Sequence, residues 1–150
     1  MLDSASSSYS SFSAEETITI ASQLAKRLTK GDIITLHGPL GAGKTTFAKG
    51  IISALCNISL HEVSSPTFTY MNIYTGESPL HHFDLYRITN EEQFFQLGLC
   101  EYLDQNAICL VEWPERISNY LKKPTTQITL SYRDANERLI EITRETNEKN

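Results

Sequence analysis

The chain has 150 residues, the size of one compact domain, and its 40% hydrophobic content is enough for a single core. Lys plus Arg number 13 against 18 Asp plus Glu, a net charge of -5. That balance argues against a protein that binds DNA or RNA on its own, because phosphates call for a basic face. No apolar run approaches the roughly 20 residues of a membrane span, and Cys56, Cys100 and Cys109, odd in number and without a CxxC, form neither a disulfide frame nor a zinc site.

Residues 1–12 are Ser-rich and offer little to pack, so they are expected to form a disordered tail. They have neither the basic start nor the apolar stretch of a secretory signal, and the expected location is the cytoplasm. Ser13 to Glu16 has capping-box spacing and opens a helix with apolar residues at Ile18, Ile20, Ala21, Leu24, Ala25 and Leu28, which Gly31 is expected to close. Residues 33–36 are an apolar, β-prone run of the kind found in a buried central strand. A glycine-rich stretch, 38–43, follows, and the helical pattern returns over 44–55.

Residues 68–74 and 80–85 predict the two strands of a hairpin, joined by the turn at Gly76 to Pro79. Asn90 to Gln93 has capping spacing and starts a short helix that Gly98 interrupts. Residues 107–111 are unbroken apolar and end in Glu112. Pro114 suits the first turn of a further helix to about Leu121. Residues 127–132 and 139–143 alternate around a turn at Asp134 to Asn136, predicting a terminal hairpin. The domain spans 13–145, with a polar tail at 146–150, and its class is mixed α/β with a parallel centre and antiparallel additions.

Gly38-Pro-Leu-Gly-Ala-Gly-Lys-Thr45 matches the phosphate-loop pattern GxxxxGK(S/T). It has the strand before it and the helix after it that the pattern requires. Glycines let backbone N–H groups converge on an anion, and the helix N-terminus adds partial positive charge. Lys44 is then placed to reach the β- and γ-phosphates and Thr45 to hold Mg²⁺ through its hydroxyl, with Thr46 in support. Such a loop needs a carboxylate at the end of a neighbouring strand. Glu112 stands there, as a metal partner or as the first solvated residue after a buried strand. Trp113 beside it is either core packing or a movable gate over the γ-phosphate.

The segment 64–69 offers Thr67 as a hydroxyl for metal or phosphate, or else is a turn in which Pro66 fixes entry to a strand. In His82-Phe-Asp-Leu-Tyr-Arg87, Asp84 either faces the nucleotide or forms a surface pair with Arg87, opposite in direction to Phe83. His81 and His82 read as surface and half-buried residues without a metal set.

Taken together, GPLGAGKTTFAKG (38–50), SSPTFTY (64–70), HHFDLYR (81–87), LGLCEYL (97–103) and VEWPER (111–116) resemble the TsaE family, the P-loop ATPases of bacterial tRNA threonylcarbamoyladenosine (t6A) biosynthesis. The resemblance spans about residues 13–143. It implies a P-loop NTPase-like three-layer α/β/α fold with a mixed parallel/antiparallel sheet. It further implies weak Mg-ATP hydrolysis that resets the TsaD–TsaB complex, with tRNA met only through that complex and no role for DNA or membrane. Transfer to adenosine 37 itself belongs to TsaD–TsaB. Residue by residue, Gly41, Ala42, Gly43, Lys44, Thr45 and Thr46 match the phosphate loop, and Thr45 and Glu112 the magnesium positions. Thr67 matches the switch-like loop, Asp84 the hydrolytic segment and Trp113 the mobile aromatic. Ser13 and Arg138 fall where the family holds adenine. Pro39 departs from the family's Asp and removes one backbone N–H.

A small-molecule kinase is one alternative, but it needs an Arg-rich lid, and no Arg-rich stretch occurs here; Lys122-Lys123 is an isolated basic pair. A GTPase would need NKxD, which is absent. A nucleotide-dependent interaction switch is the other alternative. Catalysis is expected from Lys44 and Mg²⁺ on the phosphates, with Asp84 or Thr67 positioning water. Arg87 is the candidate internal arginine finger.

Overall fold

The computed structural model describes residues 2–103, 106–121 and 124–147. In chain order these hold β1 (Leu2–Ser11), α1 (Ala14–Ala25), β2 (Ile33–His37), α2 (Lys44–Cys56), β3 (Met71–Tyr74), β4 (Leu80–Asp84), α3 (Glu91–Gln96), β5 (Ile108–Glu112), β6 (Thr126–Asp134) and β7 (Glu137–Asn147). Short 3-10 turns lie at Leu60–Glu62, Leu99–Tyr102 and Pro114–Tyr120.

The strands form one sheet in the order β1-β7-β6-β2-β5-β4-β3. β6, β2, β5 and β4 are mutually parallel, whereas β3, β7 and β1 pair antiparallel to their neighbours. The sheet is therefore mixed, as expected. It is covered on both faces, and the alternation along each strand shows how. Ile34 and Leu36 of β2, Ile108 and Leu110 of β5, and Ile128 and Leu130 of β6 pack against α1 and α2 through Leu24, Phe47, Ile51 and Ile52. Ile33, Phe83, Cys109 and Val111 point the other way, onto Phe94 of α3 and onto Leu99 and Ile117 of the 3-10 turns. This is the three-layer α/β/α arrangement. Each fully buried Phe, Leu or Ile contributes about 1.5–3 kcal/mol.

The caps are where the sequence put them. The Ser13 hydroxyl accepts from the Glu16 N–H at 3.1 Å, and the Asn90 side chain accepts from the Gln93 N–H at 2.8 Å. Other boundaries differ. α1 ends at Ala25 and not near Gly31, and the chain turns before β2 while Leu28 stays buried. The strand expected from 68 begins at Met71, because Tyr70 sits at φ 68° and breaks the extended run.

The Ser-rich start is also corrected. Leu2–Ser11 is an edge strand paired with β7 from Leu2↔Asn147 to Ser11↔Arg138. Main-chain hydrogen bonds hold it and need no apolar side chains. At its end Ser11 is buried, its hydroxyl 2.7 Å from Thr17 Oγ1. Of the expected polar tail, residues 146 and 147 belong to β7, and 148–150 lie outside the described residues, as do Lys122 and Lys123. Among the described residues no helix is long and apolar enough to cross a membrane.

Candidate functional site

β2, β4 and β5 run parallel, so their C-terminal ends meet at one edge of the sheet, where α/β proteins place their ligands. β2 runs out into the glycine-rich loop, β4 ends at Asp84 and β5 at Glu112. The loop turns on an Ala42 N–H donating to the Pro39 carbonyl at 3.2 Å, so Pro39 serves as an acceptor although it has lost its own donor. Gly38 is at φ 141°, and a Cβ there would lie 2.3 Å from the Leu130 carbonyl oxygen of β6. Only glycine lets the loop lie this close to the sheet. Gly43, at φ 108°, caps α2 without a side-chain cap, and the first turn of α2 carries no acid. The N–H groups at that helix end are therefore open to an anion.

A pocket of about 370 Å³ lies against this loop. Gly41, Gly43, Lys44, Thr45, Thr46, Thr67, Asp84, Glu112 and Trp113 all line it. A second pocket of about 280 Å³ shares Gly41, Gly43 and Thr46 with the first and continues to Ala42, Ser13 and Arg138. Apart from Arg87, the site residues named from the sequence line one or the other of these two adjoining pockets. α1 brings Ser13 there by packing along α2, and the β6–β7 hairpin brings Arg138, whose guanidinium lies 4.2 Å from the Tyr132 ring centre.

Lys44 is buried, donates to the Gly38 carbonyl at 2.7 Å and sits 3.8 Å from the centre of the Trp113 ring. Among the described residues no carboxylate forms an ion pair with it. Burial pushes its pKa below the usual lysine value, and the charges of Glu112, Glu115 and Asp84 pull part of the way back. The ammonium is therefore short of negative charge in this state.

Trp113 is at φ 62°, a rare conformation for a bulky residue, held as the chain turns into the 3-10 segment at Pro114. Its ring also lies 4.9 Å from Tyr86 and packs on the second core cluster. Core contact and cover over the lysine are both present.

Asp84 is only 7% exposed and accepts from the Tyr86 N–H at 3.1 Å, from Ser65 Oγ at 3.3 Å and from Thr67 Oγ1 at 3.4 Å. It faces the pocket. Arg87 instead stacks on the exposed Phe68, 4.9 Å from its centre, and lines neither pocket, which removes the surface pair and weakens Arg87 as an internal finger. Glu112 is 3% exposed, which excludes the solvated reading.

His81 and His82 are both buried, contrary to expectation. His81 bonds the Tyr102 carbonyl, and His82 bonds Glu112. The sequence reading also passed over Ser65, Tyr86 and Tyr132, the last donating from its hydroxyl to the Leu40 carbonyl at 3.1 Å. Period-two spacing from Asp84 would have found His82 and Tyr86; Tyr132 needed the fold.

Among the described residues no three His, Cys, Asp or Glu side chains gather into a metal cage. Thr45 and Glu112 are a sparse donor pair. Such a pair suits magnesium, which keeps water and leans on phosphate, better than a metal held by protein alone.

The model of the threonylcarbamoyl adenosine biosynthesis protein TsaE matches residues 11–140. The chain belongs to the TsaE family. The TsaE of Bacillus subtilis is 42% identical over 130 residues, covering 86% of this chain and 80% of that protein. The TsaE of Rickettsia typhi is 40% identical over 134 residues, covering 89% and 92%. The crystal structure of Bacillus subtilis YdiB matches with a TM-score of 0.76 at 35% identity, covering 95% of this chain and 87% of that one. The family match takes in the loop, both acids and the hairpin at Arg138.

Proposed function

We propose that this chain binds and hydrolyses Mg-ATP, and that hydrolysis sustains turnover of the TsaD–TsaB complex that makes t6A at position 37 of tRNA in the cytoplasm. The observation that carries the nucleotide half is the convergence of Lys44, Thr45, Asp84 and Glu112 on one pocket at a glycine-rich helix N-terminus. The t6A half rests on membership of the TsaE family and on relatives named tRNA threonylcarbamoyladenosine biosynthesis proteins.

The residues fit the cofactor. Among the described residues Lys44 has no carboxylate ion-pair partner, the α2 N–H groups have no side-chain cap, and Glu112 spends one oxygen on His82 and keeps the other. Thr45 and Glu112 would hold magnesium, which supplies charge neutralisation at the β- and γ-phosphates. Lys44 exchanges the Gly38 carbonyl for phosphate oxygen, and Trp113 must yield as it does so. Asp84, fixed by Ser65, Thr67 and the Tyr86 N–H, orients the attacking water and accepts its proton. Ser13 and Arg138, in the adjoining pocket, hold the adenine end. With no arginine among the described residues that line the catalytic pocket, turnover by the isolated chain is slow and waits on its partners.

The test is phosphate release from Mg-ATP by the purified protein, alone and with TsaB and TsaD, with Lys44→Ala as control. Slow release that the partners accelerate and the substitution abolishes is expected. Release indifferent to the partners would refute the coupling, and label passed to a small-molecule acceptor would make the protein a kinase.

A further inference from the structure

Leu80, His82 and Asp84 alternate onto the same face of β4. Leu80 is packed in the core beneath α1 and α2, Asp84 opens on the pocket, and His82 lies between them. The register pairs His82 with Leu110 and Asp84 with Glu112, which makes His82 the diagonal neighbour of Glu112 across the β4–β5 ladder. A long side chain crosses that separation. The contact is made: His82 Nε2 lies 2.7 Å from Glu112 Oε2, with side-chain exposures of 1% and 4%.

The other ring nitrogen is the telling feature. His82 Nδ1 is buried and, among the described residues, has no hydrogen-bond partner. A histidine kept for packing alone would leave a polar atom unsatisfied where leucine would leave none. An Nδ1–H there would be a buried donor without an acceptor, so the ring proton that the geometry accommodates is on Nε2, donated to the carboxylate. The hydrogen bond this ring makes among the described residues thus goes to one oxygen of Glu112.

We propose that His82 is a positioning residue for the magnesium carboxylate: by holding Oε2 of Glu112 it fixes the group in the orientation that presents Oε1 to the pocket. Without it, a nearly buried carboxylate loses its donor and is no longer held in that orientation. The metal would lose a preorganised ligand, while Lys44 would still be free to meet phosphate. This inference rests on the Mg-ATP reading above. Outer partners of this kind typically set metal affinity within a factor of about 10–100.

The experiment is calorimetric titration of ATP into wild type, His82→Leu and His82→Gln, first in EDTA and then over a magnesium series. Leu fills the core without a donor, and Gln carries an amide N–H at the reach of Nε2. For His82→Leu the magnesium midpoint should rise about 10–100-fold while metal-free ATP affinity holds, and His82→Gln should recover most of the loss. The idea is overturned if His82→Leu keeps the wild-type midpoint, if metal-free affinity falls in proportion, or if Gln does no better than Leu. It is equally overturned if circular dichroism shows that neither variant folds, since His82 is then a folding residue. Wild type is the internal control: ATP binding that ignores magnesium there would sink the Mg-ATP reading itself, before His82 is at issue.

Discussion

Replacing Gly38 with alanine should damage the fold, whereas the same change at Gly43 should damage chiefly the site. At Gly38 the new Cβ would stand 2.3 Å from the Leu130 carbonyl oxygen and 3.3 Å from its carbon, at φ 141°. A backbone oxygen cannot swing aside as a side-chain tip can. Leu130 is tied into the β6–β7 ladder opposite Ile140, so making room shifts a central strand. Backbone strain of about 1–3 kcal/mol adds to overpacking of about 1–3 kcal/mol, roughly 2–6 kcal/mol together. Against a total stability of about 5–15 kcal/mol this is a large fraction. For a chain of this length it lowers Tm by roughly 5–20 °C. At Gly43, φ is 108° but the Cβ meets only Leu130 Cδ2, at an ordinary 3.4 Å. The strain term alone remains, about 1–3 kcal/mol. The loop N–H groups turn away from the anion, so ATP affinity falls. Thermal denaturation followed by ATP titration reads both effects. A Gly43→Ala protein less stable than Gly38→Ala, or a Gly38→Ala protein that melts with wild type, would refute the reasoning.

Asp84→Asn keeps the shape of its hydrogen-bonded nest but loses the proton acceptor, so phosphate release should fall about 10²–10⁴-fold while ATP binding holds; an equal loss in both would make Asp84 a binding or folding residue. Lys44 has its pKa lowered by burial, so the folded, nucleotide-free protein binds fewer protons than the unfolded chain between that lowered value and the ordinary 10.5, and its stability should rise with pH across this window. Phosphate favours the charged amine, so ATP affinity should fall over the same window, an opposition that Lys44→Ala abolishes; calorimetry and denaturation at paired pH values check both signs. In the native protein a thiol reagent should modify Cys100 first, because Cys56 and Cys109 are buried and burial also pushes the Cys56 thiol up. Reaction of Cys56 ahead of Cys100 would contradict this packing.

The caps and the parallel centre were legible because each is written locally. Ser13 and Asn90 stand three residues before the N–H they accept, and the runs ending at Leu36 and Val111 are too short and apolar for anything but buried strands. β1 was not legible, because an edge strand is held by main-chain bonds to a partner more than a hundred residues away, and serines along an exposed edge look like a tail. Tyr70 and Trp113 were not legible either: nothing in their neighbours' chemistry announces a positive φ, which the surrounding packing imposes.

The convergence of the candidate site residues was legible for a topological reason. Each functional segment sits at the C-terminal end of a strand: the loop after β2, Asp84 ending β4, Glu112 ending β5. Once those strands are parallel and adjacent in the order β2-β5-β4, their ends must converge, however far apart they are in the chain. A strand-then-acid pattern therefore carries positional information that composition does not. What that pattern cannot carry is register. Whether His82 or Phe83 reaches Glu112 depends on which residue of β4 lies opposite Leu110, and a slip of one residue would turn Asp84 into the layer below and Phe83 into the pocket. Phe83, fully buried against Phe94, prevents that slip. The α3 side of the sheet, through Phe94, thereby fixes which carboxylates face the pocket.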